Sequence, residues 1–349
     1  SNGSPVSGPG TVFAKASTQT HGDLRIDNNG NWPTSPPTLL SADTFDSFVI
    51  SRAATVTVSG DLTVTSPTFA VTDASVSFNG AVHTPALTSL SLSGGTSFSQ
   101  PWSFPAGIAL SLTSGVHTFN TPSPISLSSL SLSGNSTLTS TSSSLSLLVS
   151  GDTNVASGAI DLSGKGFPGG LTPSNSDSRG VSFNGFTEVG VGGSHGGHGI
   201  GASLGSTYDD LRNPTLPGAG GSANGTNPGG NGGGVILLST SNLVLNGEIR
   251  ANGAGSTSAA AGAGGSINLT VTNQLSGSGS VRATGATGGH FNNRWTHGGG
   301  GRIAVRYGTL SNFSLSQLVA HGGSYGGASG PGTVFARSST QTHGDLRID

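Results

Sequence analysis

The run LSLSGGTSF at 90–98, followed by LSLTSGVHTF at 110–119 and LSLSGNSTL at 130–138, decides the fold class. In each run Leu, Val or Phe alternates with Ser or Thr, which places apolar side chains on one face of an extended strand and hydroxyls on the other. Each run is broken by Gly94-Gly95, Ser114-Gly115 or Gly134-Asn135, so each reads as strand, tight turn, strand. The starts at Leu90, Leu110 and Leu130 recur at a constant interval of 20. A strand-turn-strand unit recurring at that length predicts an all-β chain wound as a parallel β-solenoid (β-helix). Each coil would lie about 4.8 Å from the one before it, with ladders of Leu, Val, Ile and Phe pointing inward. VTVSGDLTV at 56–64 and the stretches 69–78 and 145–155 extend the series with less regular spacing.

Downstream the unit widens. Gly234-Val235-Ile236, Gly265-Ser266-Ile267, Gly301-Arg302-Ile303 and Gly332-Thr333-Val334 begin successive units at intervals of 31, 36 and 31. The added residues are mostly Gly, Ala, Ser and His, as expected for Gly-rich loop insertions at a corner of the coil. Between the two regions lie GVGGSHGGHGIG at 190–201 and PGAGGSANGTNPGGNGGG at 217–234. Ile200, Tyr208, Leu211 and Leu216 are anchors that a Gly/Ser linker lacks. They favour close-packed extended glycine segments, similar in backbone to polyproline II, over a floppy connection.

The chain also repeats itself. SGPGTVFAKASTQTHGDLRID at 7–27 returns at 329–349 as SGPGTVFARSSTQTHGDLRID, every residue number displaced by 322, with changes only at Lys15/Arg337 and Ala16/Ser338. A tandem array seen through a window longer than one period shows this pattern, and the displacement is then the tandem period. The expected layout is 1–35 as a coil completing a preceding repeat, 36–163 as tight coils and 164–233 as a Gly-rich extension. Wide coils with Gly-rich loops then fill 234–349, with 329–349 starting the next repeat. Neither end carries a distinct cap, so the close of one repeat is expected to continue into the opening of the next, through Gly10, Thr11, Val12, Phe13, Leu24 and Ile26 and their equivalents Gly332, Thr333, Val334, Phe335, Leu346 and Ile348.

Composition narrows the function classes. Among 349 residues there are 60 glycines and 8% charged residues, with 13 Lys plus Arg against 15 Asp plus Glu. That balance carries no electrostatic footprint for nucleic acid, and no apolar run reaches the roughly 20 residues of a membrane span. Cys and Met are both absent, which removes disulfides, thiolate metal sites and the side chains most easily oxidised.

Candidate chemistry is sparse. His195 and His198 are spaced for one metal, with His290, His297 and His321 in neighbouring Gly-rich loops, but nothing completes a ligand set, and exposed loop histidines are the simpler reading. Asp27, Asn29 and Asn31 alternate as calcium ligands do without the Gly and distal Glu of a calcium loop, so an Asx turn accounts for them. Asp209-Asp210 is the lone adjacent acidic pair, which gives a polysaccharide-active enzyme little to work with. No catalytic residue, cofactor or metal is assigned. Arg302 and Arg306 read as solvated outward charges, and Trp32, Trp102, Phe104, Phe291, Trp295 and Tyr325 as corner-capping aromatics.

GGGGRIAVRYGTLSNF at 298–313, followed by LVAHGGSYGGASGPGTVFARSSTQTHGDLRID at 318–349, resembles the repeats of very large Gly-rich extracellular proteins of environmental bacteria. The similarity covers about 232–349 and 7–31, and rests on a Gly run, Arg302-Ile303-Ala304-Val305, Gly332-Thr333-Val334 and Asp23-Leu24-Arg25-Ile26-Asp27-Asn28 in one order. The resemblance implies a secreted or surface-displayed structural protein of β-solenoid, adhesin-like type with no catalytic site. The expectation is a structural repeat of an extracellular or cell-surface filament whose partners are copies of itself, covalent or head to tail, with neighbouring filaments or glycans as further contacts. An adhesin stalk or glycan-binding module using the Gly-rich loops is the alternative, and an enzyme acting on polysaccharide a third.

Overall fold

The computed structural model describes residues 10–30, 37–101, 105–121, 124–171, 180–183, 185–187, 189–291, 293–325 and 327–349. Trp32, Trp102, Phe104 and Asn31 lie outside the described residues, as do residues 7–9 of the first duplicated segment and the side chain of Phe291. The protein is all-β with mostly parallel strands, and among the described residues the sole helical element is the short 3-10 turn Leu315–Gln317. It divides into two compact units, one made of the residues up to Thr141 with Leu148–Ala159, the other of Ser142–Leu147 with Ile160–Asp349.

In the first unit, strands Asp23–Asp27, Ser47–Ser51, Phe69–Phe78, Ser89–Phe98, Ile108–Thr113 and Ile125–Ser133 pair in succession, all parallel. A second ladder joins Thr38–Leu40, Thr55–Val58, the later halves of Phe69–Phe78 and Ser89–Phe98, Val116–Phe119 and Thr137–Ser140. A third joins Asp43–Phe45, Leu62–Val64 and Val82–His83. The constant interval in the sequence is the register itself: Leu90 faces Leu110, which faces Leu130, and Leu92, Leu112 and Leu132 do the same. These six leucines are buried, each worth roughly 1.5–3 kcal/mol when fully covered. Phe78 stacks on Phe98 at 4.7 Å and Phe98 on Phe119 at 5.1 Å, close to the ~4.8 Å spacing of adjacent strands. Equivalent rings therefore sit on neighbouring strands.

In the second unit Val235–Leu245, Ser266–Ser276, Arg302–Ser311 and Thr333–Ser338 form a parallel ladder, with Ile236, Ile267, Ile303 and Val334 in one row. Glu248–Arg250, Ser280–Arg282 and Leu318–Val319 form another. The unequal intervals of 31 and 36 leave these rows aligned because the additional residues lie between the strands.

The Gly-rich stretches of 164–233 belong to this same unit and pack beside the glycine runs that lead into its strands. Six consecutive backbone N–H groups show how. Ala260, Ala261 and Gly262 donate to the carbonyls of Ser222, Thr296 and Ala254; Ala263, Gly264 and Gly265 donate to Ala219, Gly299 and Ala251. Every third donor returns to the same neighbouring segment, so the backbone makes one turn in three residues and bonds outward in three directions. That is the symmetry of polyproline II, here with its polar groups satisfied by neighbouring chains. Such packing leaves no room for side chains on the contact lines. A Cβ at Gly298 would meet the carbonyl oxygen of Gly262 at 1.9 Å, and one at Gly262 would meet that of Asn231 at 1.9 Å.

Candidate assembly site

Both copies of the duplicated segment fold as the same antiparallel hairpin. In the first, Gly10–Ala14 pairs with Asp23–Asp27, setting Thr11 opposite Ile26, Val12 opposite Arg25 and Phe13 opposite Leu24. In the second, Thr333–Ser338 pairs with Asp345–Ile348, setting Thr333 opposite Ile348, Val334 opposite Arg347 and Phe335 opposite Leu346, the same pairs displaced by 322. The turns match as well. The Gln19 side chain accepts from the Ala16 N–H and donates to Asp23, and Gln341 does the same with the Ser338 N–H and Asp345. Position 16/338 contributes its backbone to this brace, so Ala and Ser serve equally. Gly22 and Gly344, at φ of +104° and +86°, supply the left-handed residue that ends each turn.

What differs is the edge that each hairpin has engaged. In the first copy Asp23–Asp27 lies parallel on Ser47–Ser51, and Gly10–Ala14 has no second strand among the described residues. In the second copy Thr333–Ser338 lies parallel on Arg302–Ser311, and among the described residues Asp345–Ile348 has no second strand. Burial follows reciprocally. Val12 and Phe13 are 60% and 55% exposed, whereas Val334 and Phe335 are each 3% exposed; Leu24 and Ile26 are 4% and 0% exposed, whereas Leu346 and Ile348 are 52% and 61% exposed. Each of these apolar positions of the hairpin is thus buried in one copy and open in the other. The sequence marks these residues as two strands of one coil; the structure pairs the two strands with each other, antiparallel.

The first hairpin is gripped by charge. Asp46 accepts from the N–H groups of His21 and Gly22, Ser47 donates to Asp23 at 2.6 Å, and Arg52 donates to Asp27 at 2.6 and 2.9 Å. Arg52 also donates to the Asn29 side chain, while the Asn29 N–H bonds Asp27 in an Asx turn. Of the oxygens considered as calcium ligands, those of Asp27 and Asn29 are therefore engaged by a guanidinium. The Arg52 bond, with help from the Asn29 N–H, holds the Asp27 carboxyl well below the usual carboxylate range. Bonds from Ser47 and Gln19 lower Asp23, and the Gly22 N–H and Thr65 hydroxyl lower Asp46.

A strap at 208–216 lies beside the Thr333–Ser338 strand of the second hairpin. His195, far from being an exposed loop residue, is fully buried: its Nδ1 lies 2.9 Å from the Gly264 carbonyl and its Nε2 3.3 Å from Asp209. Asp209 accepts from the N–H groups of Thr215 and Leu216, and the Tyr208 hydroxyl donates to the Pro217 carbonyl. Burial pushes the His195 imidazole down. Burial would raise Asp209, but bonds from His195 and from the Leu216 and Asp210 N–H groups outweigh it and hold the carboxyl low. Arg302, expected to be solvated, is buried instead; it donates to the Tyr208 carbonyl at 2.8 Å and to the Thr333 hydroxyl at 3.0 Å. The guanidinium of Arg212 stands 6.0 Å from the Phe335 ring centre.

Ser266, His195 and Asp209 look like a nucleophile, base and acid, and their geometry denies it. Ser266 and Asp209 both face Nε2, whereas a relay needs the acid at the other nitrogen. The Ser266 hydroxyl is fully buried, 2.6 Å from the Leu216 carbonyl. The trio is a clasp. His198 is exposed, bonded to the Gly205 carbonyl, and among the described residues no group of three or more His, Cys, Asp or Glu side chains is placed to hold a metal ion. Asp46, Arg52, Gln19 and Ser266 escape a reading of the sequence because they act singly, without a motif.

Comparison with protein-family models, with curated proteins and with solved structures finds no match for this chain.

Proposed function

We propose that this chain is a structural repeat of an extracellular or cell-surface filament, wound as parallel β-solenoid coils and joined to further repeats through the duplicated hairpin. The observation that carries it is the reciprocal burial. Superposed as one segment, the two copies satisfy every edge: Gly10–Ala14 would take Arg302–Ser311 of the preceding repeat, as Thr333–Ser338 does here, while Asp345–Ile348 would take Ser47–Ser51 of the following one, as Asp23–Asp27 does here. Val12, Phe13, Leu346 and Ile348, otherwise half exposed or more, then become the buried residues their duplicates already are. Covering them is worth on the order of 1 kcal/mol each, and it removes open strand edges that would pair indiscriminately. A mechanical role fits the rest: parallel ladders, glycine segments bonded in three directions, and a composition free of Cys and Met, suited to long exposure outside the cell.

The test is a polypeptide of two consecutive periods followed by hydrogen exchange. Both strands of the central hairpin should be protected, while the two terminal hairpins each keep one unprotected strand. A central hairpin exchanging as fast as the terminal ones would overturn the proposal.

A further inference from the structure

Resting on the reading of the duplicated hairpin as a joint, we infer that the joint also works between separate chains: the C-terminal hairpin of one chain displaces the N-terminal hairpin of a second copy and takes its seat. The seat consists of Asp46, Ser47, Phe48, Ile50 and Arg52. On the hairpin, it touches His21, Gly22, Asp23, Leu24, Ile26 and Asp27. All six recur without change as His343, Gly344, Asp345, Leu346, Ile348 and Asp349. The two differing positions, 15/337 and 16/338, lie at the turn end of the other strand. Through these six residues the seat has no means of telling one hairpin from the other; its bonds to Asn29 and Gly30, past the duplicated segment, are the ones without a counterpart among 329–349.

The incoming strand is ready. Asp345–Ile348 is already ordered against Thr333–Ser338, with Leu346 and Ile348 open to solvent and its outer edge unpaired among the described residues. In the register that Asp23–Asp27 holds now, Leu346 would face Phe48, Ile348 would face Ile50, and Asp349 would meet Arg52. Exchange trades one set of contacts for a similar one, without the Arg52 bonds to Asn29 and Gly30 and with Asp349 leaving the Ala320 N–H, so contacts alone do not drive it. Concentration does, together with the freedom gained by the released N-terminal segment, as in other domain-swapped assemblies. The partner is a second copy of this chain, and the product is a head-to-tail series.

Weakening the occupant of the seat should tip the balance. A full-length chain carrying Leu24→Asp and Ile26→Asp is expected to form oligomers whose mass, measured by sedimentation, grows with concentration. Adding Leu346→Asp and Ile348→Asp should return it to a monomer. A folded Leu24→Asp, Ile26→Asp chain that stays monomeric at all concentrations would overturn the inference. Because the chain has no Cys, a second measurement is clean. A Ser47→Cys chain mixed with an Asp345→Cys chain under mild oxidation should give a disulfide-linked pair, these positions being equivalent to the adjacent Asp23 and Ser47. A Thr340→Cys chain, substituted in the turn, should not. No cross-link in the first mixture counts against exchange. If the central hairpin of the two-period polypeptide is nevertheless protected, the covalent joint stands and only exchange between chains falls.

Discussion

At Gly298 a single hydrogen atom decides whether the glycine segments can close. Its hypothetical Cβ falls 1.9 Å from the Gly262 carbonyl oxygen, and backbone on that side cannot withdraw without breaking bonds to its other neighbours. Gly298→Ala is expected to lower stability by about 3 kcal/mol, the upper end of ordinary overpacking, whereas Gly327→Ala, whose Cβ would find nothing nearer than 3.7 Å, should stay within about 0.5 kcal/mol. Thermal unfolding of the two variants checks this. Extended glycine segments similar to polyproline II were expected of this region, while their three-residue bonding rhythm came from the backbone hydrogen bonds. The burial of His195 was not legible, because nothing local to SHGGHG says that a strap reaching Asp209 will fold back over it. Acid acts at the same scale on the first hairpin. Asp23, Asp27 and Asp46 all have lowered pKa values, so the folded state binds fewer protons than the unfolded one as pH falls through the carboxylate range. The stability these groups give is present above about pH 4, the unfolded carboxylate value, and is lost as pH falls through their lower folded values. Hydrogen-exchange protection of 23–27 should fall at pH 3 relative to pH 6, ahead of the leucine ladders, which contain no carboxylate.

At the scale of elements, the register of the first unit was readable because a constant interval between like residues leaves one alignment that keeps every leucine buried. Strand direction within the duplicated segment was not readable. Alternation says which face is apolar and is the same whether a strand runs up or down, so TVFA and DLRI carried no sign that they would turn back on each other. The hairpin offers an internal experiment, since one residue occurs in two environments. Phe335→Ala removes a buried ring and should cost about 3 kcal/mol, whereas Phe13→Ala, at the equivalent position with its ring half in solvent, should cost about 1 kcal/mol or less. Denaturant titration of the two variants separates these outcomes. Equal losses would mean that the open edge at Gly10–Ala14 is covered in solution.

At the scale of the proposed filament, the hairpin would impose a direction. Arg302–Ser311 and Thr333–Ser338 run parallel; Asp345–Ile348 runs antiparallel to them; its duplicate Asp23–Asp27 runs parallel to Ser47–Ser51. A joint completed as proposed would therefore carry strands of one direction on one side and the opposite direction on the other, a reversal that an uninterrupted parallel stack of coils lacks. Hydrogen bonding continues across it, since antiparallel pairing is no weaker per residue than parallel pairing, so the joint need not be a weak point. Imaging of a filament at a resolution that traces the backbone should show, once in every tandem period, an antiparallel pair flanked on each side by parallel pairs, within ladders spaced about 4.7–4.9 Å apart. A parallel stack running unbroken through the position of the duplicated segment would mean that the two hairpins are features of free ends, and that consecutive repeats are joined by some other contact.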